Sequence, residues 1–137
     1  MKVKLDPGAY MPERAHATDA GLDLRTMNAH MLWPGESAVF DTGVHVQFPK
    51  GYYGKLESKS GLNVNHNIVS CGGVIDEGYT GSIKVKLYNL GQTSHFFAPG
   101  DKIVQLIVQP YVAPDMELVA HLDESERGDD GFGSTGR

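Results

Sequence analysis

An all-β fold, a sandwich or barrel of short strands, is predicted by three features of the 137-residue sequence. Turn signals recur along it: "DPG" at 6–8, "WPGE" at 33–36, "FPKG" at 48–51 and "APGD" at 98–101. Each joins a proline, which fixes φ, to a permissive glycine. Short apolar runs lie between these turns, and several alternate with polar residues. No window of eleven or more residues shows helical periodicity.

In chain order, "SAVFDTGVHVQF" (37–48) predicts strand structure, divided into two halves at Gly43. One or two helical turns are expected near 61–67. In "GSIKVKLYNL" (81–90), Ile83, Val85 and Leu87 face one way and Ser82, Lys84 and Lys86 the other, which is a half-buried strand. "KIVQLIVQ" (102–109) is apolar on both faces, so it predicts a central strand, buried on both sides or packed on another subunit. No internal repeat is present. Residues 1–125 read as one domain, and 126–137 as a flexible, glycine-rich arm that cannot hold a conformation alone.

The chain is long enough for a real core. A net charge of −5 without a basic block argues against nucleic-acid binding, which depends on phosphate neutralisation. The single cysteine, Cys71, excludes an internal disulfide and a multi-cysteine zinc site. Its plain reading is a small buried hydrophobe. The six histidines show neither HxxxH nor HxH spacing. "MKVKLDPG" lacks the apolar run of a signal peptide, and no segment has membrane-spanning length. A soluble, cytoplasmic protein with no membrane partner is expected.

Five stretches could carry chemistry. In "ATDAGLDLR" (17–25), Asp19 and Asp23 suit either a turn with two solvated carboxylates or a water-mediated Mg²⁺ contact. In "ESKSGLN" (57–63), Lys59, Ser60 and Gly61 before a helical turn suit either a phosphate or a Ser N-cap beside a surface lysine. In "GGVIDEGYTGS" (72–82), Asp76 ends an apolar run, which predicts a partly desolvated carboxylate able to act as a base on water, with Tyr79 as a wall of the same site. A hairpin turn with a packing tyrosine is the alternative. Gln105 interrupts the apolar strand of "GDKIVQL" (100–106), where its amide meets either backbone or ligand. In the tail, Arg127 offers a bidentate phosphate fork, Gly133, Ser134 and Thr135 offer backbone N–H groups, and Phe132 could stack on a base. A disordered terminus is the alternative there.

The order "ATDAGLDLR", "SKSGL", "GGVIDEGYTGSIKV", "GDKIVQL", "ERGDDGFGSTGR" resembles the five motifs of the trimeric dUTPase family, from about residue 3 to the end. The resemblance implies a jelly-roll-like β-barrel and a homotrimer with active sites at subunit interfaces. It implies Mg²⁺-assisted hydrolysis of dUTP to dUMP and pyrophosphate, which keeps uracil out of DNA and supplies dUMP for dTMP synthesis. Asp76 then matches the carboxylate that activates the water attacking the α-phosphorus. Asp23 matches the residue that meets Mg²⁺ through water. Lys59, Ser60, Gly61 and Gln105 match the phosphate contacts, and Tyr79 the residue under the deoxyribose. The stretch from Asn63 through Gly73, Val74 and Ile75 matches the hairpin that reads uracil. Arg127, Phe132 and Gly133–Thr135 match the arm that closes over the site.

The family's second motif usually begins Pro-Arg-Ser-Gly, whereas this chain has Ser58-Lys59-Ser60-Gly61. Lysine is a point charge and cannot reproduce a planar fork. Lys102 stands where the fourth motif often has arginine, and a structural role is expected for it. The same fold and parts of the motifs occur in dCTP deaminases, which is the alternative enzyme. A nucleotide-responsive regulatory binding protein is the alternative outside enzymes.

Overall fold

The computed structural model describes residues 1–126 and Gly128. Eleven strands and one helix follow one another: β1 (Lys2–Leu5), β2 (Gly21–Arg25), β3 (His30–Leu32), β4 (Ser37–Asp41), β5 (Val44–Gln47), β6 (Tyr52–Ser58), α1 (Ser60–His66), β7 (Ile68–Ser70), β8 (Val74–Ile75), β9 (Lys84–Asn89), β10 (His95–Phe97) and β11 (Lys102–Pro110). The all-β expectation holds, as does the single short helix. The antiparallel pairings form four sheets among the described residues, β1-β5, β10-β3, β2-β11-β6-β8 and β4-β9-β7. No closed hydrogen-bonded barrel forms among the described residues, while the packed ladders are compatible with a jelly roll.

The alternation in 81–90 is realised in β9, where Val85 and Leu87 are buried between exposed Lys84 and Lys86. The break at Gly43 is real and separates β4 from β5. Gly43 has φ +63, and a Cβ there would lie 2.6 Å from the Met27 sulfur, so both backbone and space demand glycine. β11 is central, between β2 and β6. Its Ile103, Val104 and Leu106 are buried, but Ile107 and Val108 are only half-buried in the protomer.

A seven-residue helix is marginal by itself. α1 is held at its ends and by Leu62, which packs on the core. Lys59 precedes it with extended backbone, and Asn67 closes it at φ 54, its N–H bonding the carbonyl of Asn63 at 2.9 Å. The buried Asn89 ties β9 to the β3 end. Its amide donates to the carbonyls of Leu32 (3.0 Å) and Thr93 (2.9 Å) and accepts from Gly91 N–H (2.9 Å).

Two expectations change. Cys71 is exposed rather than buried, because it sits in the turn after β7 and not on a strand face. The stretch 63–74 is not a two-stranded ladder. β7 pairs with β9 and β8 with β6, because Gly72 (φ 81) and Gly73 (φ 141) turn the chain from one sheet to the other. Beyond Pro110 the chain carries no strand or helix among the described residues, and Val112, Met116 and Leu118 are almost wholly exposed. Among the described residues, no helix is long and apolar enough to cross a membrane.

Candidate active site

Two separate groups of the expected residues are built by the fold. The first lies on the β2-β11-β6 face. Gln105 is in register with Asp23 of β2 on one side and Glu57 of β6 on the other. Lys59, between β6 and α1, brings its ammonium to Asp23 Oδ1, and Lys102 reaches Oδ2 at 2.6 Å. Asp23 is only 5 % exposed. Burial pushes its pKa up, but the hydrogen bonds and charges of Lys102 and Lys59 outweigh this and hold it below the ordinary value. One carboxylate against two ammonium groups leaves the cluster with one net positive charge.

Ser60 and Gly61 are exposed beside this cluster, at the start of α1. Ser60 is not the cap, since Lys59 holds that position and makes no side-chain cap bond. Both backbone and hydroxyl donors of this turn are therefore available to an anion. Gln105 lies over Gly21, where a Cβ would stand 2.3 Å from its Oε1. Asn63 is exposed on α1. Asp19 is not part of this group. It sits in the turn before β2, where its carboxylate accepts from His16 N–H at 2.9 Å.

The second group surrounds β8. Ile75 is buried against Gly54 of β6, while Val74 faces out. Gly73 lies so close to Leu56 that a Cβ would come within 2.9 Å of that side chain, and its carbonyl accepts from Leu56 N–H at 2.7 Å. Asp76 begins a turn closed by Tyr79 N–H on its carbonyl at 3.0 Å. The Tyr79 hydroxyl donates to the Ser82 carbonyl at 2.9 Å, which fixes the ring over Gly81. Asp76 is exposed rather than partly desolvated, because β8 is the edge strand of its sheet among the described residues. It borders a cavity of about 480 Å³ shared with Tyr53, Val74, Glu77, Gly78 and Tyr111.

Along β6, Ser58 stands beside the first group, while Leu56, Lys55 and Gly54 hold Gly73, Val74 and Ile75 of the second and Tyr53 borders its cavity, about 16 Å from Ser58 at ~3.3 Å per residue. Arg127, Phe132, Gly133, Ser134 and Thr135 lie outside the described residues.

Both oxygens of Asp23 are taken by ammonium groups, and no group of three or more His, Cys, Asp or Glu side chains is arranged for a metal among the described residues. A Mg²⁺ ion keeps most of its waters and needs free oxygen acceptors for them. Each Asp23 oxygen accepts from one ammonium and keeps a further lone pair, so the carboxylate can still take a hydrogen bond from a metal-bound water. Reading the sequence stretch by stretch missed the pairing of Asp23 with two lysines, although Lys102 stands three residues before Gln105. It also missed Glu77 and Tyr111, whose signal was a second carboxylate directly after Asp76.

The dUTPase family model matches residues 8–136. A curated relative, deoxyuridine 5'-triphosphate nucleotidohydrolase of Mus musculus, is 42 % identical over 98 % of this chain and 83 % of its own length. The structure of the Staphylococcus bacteriophage 80alpha dUTPase with dUpNHpp is similar at a TM-score of 0.93, with 33 % identity, covering 99 % of this chain and 98 % of that one. A mutant dUTPase of phage phi11 of S. aureus, solved with a coordinated structural Mg(II) ion, matches at a TM-score of 0.82 and 31 % identity, over 90 % of this chain and 98 % of its own. Sequence, family model and fold agree over nearly the whole chain, and the protein belongs to the dUTPase family.

Proposed function

We propose that the protein hydrolyses dUTP to dUMP and pyrophosphate. The observation that carries this reading is the exposed Asp76 carboxylate, set at a fixed turn beside an open cavity, in a chain of the dUTPase family. Asp76 accepts a hydrogen bond from a water and takes its proton as the water attacks the α-phosphorus. The cationic cluster of Lys59 and Lys102, the Ser60 hydroxyl, the N–H of Gly61 and the Gln105 amide receive the phosphate oxygens. The Tyr79 ring supports the deoxyribose, and the 63–74 segment with Gly73, Val74 and Ile75 holds uracil. From the tail, Arg127 and Gly133–Thr135 grip the phosphates and Phe132 stacks on the base, with 126–137 acting as the closing arm.

A site completed between copies is part of this reading, and the homotrimer is the assembly proposed. The bare apolar side chains of Val112, Met116 and Leu118 support it, since such surface marks association. Mg²⁺ enters this reading with the triphosphate, where it would neutralise phosphate charge. The cytoplasm, where nucleotides are made, is the proposed location.

The test is pyrophosphate release from dUTP, UTP, dTTP and dCTP in separate reactions with Mg²⁺. Release from dUTP alone is expected. Ammonia from dCTP would instead assign the deaminase chemistry of the same fold, and nucleotide binding without turnover would assign a regulatory role.

A further inference from the structure

We infer that Glu77 is a positioning residue for Asp76, acting through a closed hydrogen-bond ring with Gly51 and Tyr111. This rests on the proposed role of Asp76. Glu77 Oε2 accepts from Gly51 N–H at 2.8 Å and from the Tyr111 hydroxyl at 2.9 Å. The ring is closed by Tyr111 N–H, which donates to the Gly51 carbonyl at 3.0 Å. Three segments distant in sequence thus meet at one carboxylate oxygen: the turn before β6, the Asp76 turn, and the chain leaving β11. Tyr111 is itself braced. Its ring packs edge-on against Tyr53 at 6.2 Å between centroids, and the Tyr53 hydroxyl donates to Gln109 Oε1 at 3.0 Å.

A glutamate on a surface turn ordinarily keeps its rotamer freedom, and holding it, as the half-buried Glu77 is held, costs side-chain entropy. Here two donors converge on one oxygen, and the N–H of Gly51, then the Tyr111 hydroxyl, hold the Glu77 pKa below its ordinary value. The reason for such an anchor lies in the edge position of β8. That strand has only two residues, paired on one side to β6. The ladder therefore fixes Ile75 but leaves the following carboxylate to the turn. Glu77 is the next residue, and its ring ties that turn to β6 and β11. Both carboxylates border the same cavity, and Glu77 is the one held by hydrogen bonds among the described residues. A general base must be held close to its water, and a displacement of about 1 Å can cost about a hundredfold in rate.

The experiment compares the full chain with Glu77→Ala, Glu77→Gln and Tyr111→Phe. It measures kcat and KM for dUTP, thermal unfolding, and hydrogen exchange of the amides of Gly78 and Tyr79. Glu77→Ala is expected to lower kcat by about tenfold or more, with KM within about threefold. Its amide exchange at Tyr79 should rise while global unfolding shifts little. Glu77→Gln keeps an acceptor oxygen for both donors and should restore most of kcat. Tyr111→Phe should fall between. Wild-type kcat and exchange in Glu77→Ala would overturn the inference, as would a Glu77→Gln variant as impaired as Glu77→Ala. Absence of dUTP turnover in the unaltered chain would instead overturn the proposed reaction. The exchange measurement would then still decide whether Glu77 holds the turn.

Discussion

The ammonium of Lys102 lies 2.6 Å from Oδ2 of Asp23, and the ammonium of Lys59 meets the other oxygen of the same buried carboxylate. Removing Lys102 leaves one oxygen of a buried carboxylate without its charged donor, which costs more than the intact pair contributes. Lys102→Met is therefore expected to cost about 1–3 kcal/mol in urea unfolding near neutral pH, a range reduced because the lysine is partly exposed. The folded-state pKa of Asp23 lies below its ordinary 3.8. Its contribution is fully present above 3.8 and is lost as pH falls through the lower folded value. The gap between the parent and Lys102→Met should accordingly narrow under strongly acid conditions. A gap unchanged down to that pH would show that Asp23 is not the cause.

Asp23 as counter-ion of two lysines predicts a particular Mg²⁺ behaviour. Asp23→Asn should raise KM for dUTP and lower stability, while the Mg²⁺ concentration for half-maximal activity changes by less than about twofold. A Mg²⁺ titration of both proteins checks this. A large shift in the metal requirement alone would return Asp23 to the role of metal contact.

Lys59 has two tasks in this arrangement, pairing Asp23 and facing the phosphates. Lys59→Ala should raise KM for dUTP and reduce kcat/KM by about tenfold, of the order expected for one charged contact. Steady-state kinetics decide it, and unchanged kcat and KM would remove Lys59 from the site.

Gly21 makes room for Gln105. A methyl at that position would stand 2.3 Å from the amide oxygen and 3.0 Å from Cβ of Gln105. The side chain must then leave its place over β2. Gly21→Ala is expected to reduce kcat/KM about as much as Gln105→Ala, and the double variant to be no worse than either, because both changes remove one contact. Additive losses would separate the two residues.

His45 joins three parts of the fold. Its Nδ1 lies 2.8 Å from the Thr80 carbonyl and its Nε2 3.1 Å from Asp6 Oδ1. The Thr80 carbonyl, then the Asp6 carboxylate, raise its pKa above 6.5. The stability this provides is fully present below 6.5 and is lost as pH rises through the raised folded value. The melting temperature of the parent should fall relative to His45→Gln across that rise. Parallel curves would show that the imidazolium is not involved.

The parts of the fold that were legible follow from period-two burial and from glycine punctuation. Val85 and Leu87 could be assigned to one face without tertiary knowledge, and Gly43 marked a break that its positive φ confirms. β1 was not legible, because its "KVKL" buries little, and only its register against β5 gives it form. The chemistry-bearing stretches were visible as motifs, but their partners were not. Asp23, Lys59 and Lys102 meet only because β11 and β6 stand side by side. The bound state of Glu77 depends on Gly51 and Tyr111, which no spacing rule connects.

In the proposed assembly, the Asp76 side and the Gln105 side of each site come from different copies. Asp76→Asn and Gln105→Ala disable different halves. Mixing the two impaired variants by joint unfolding and refolding allows subunits to exchange. If the halves of each site come from different copies, random assembly makes about a quarter of the sites intact, and dUTP hydrolysis should return to that level. If both halves come from one chain, every site carries one lesion and no activity returns, which would contradict the account.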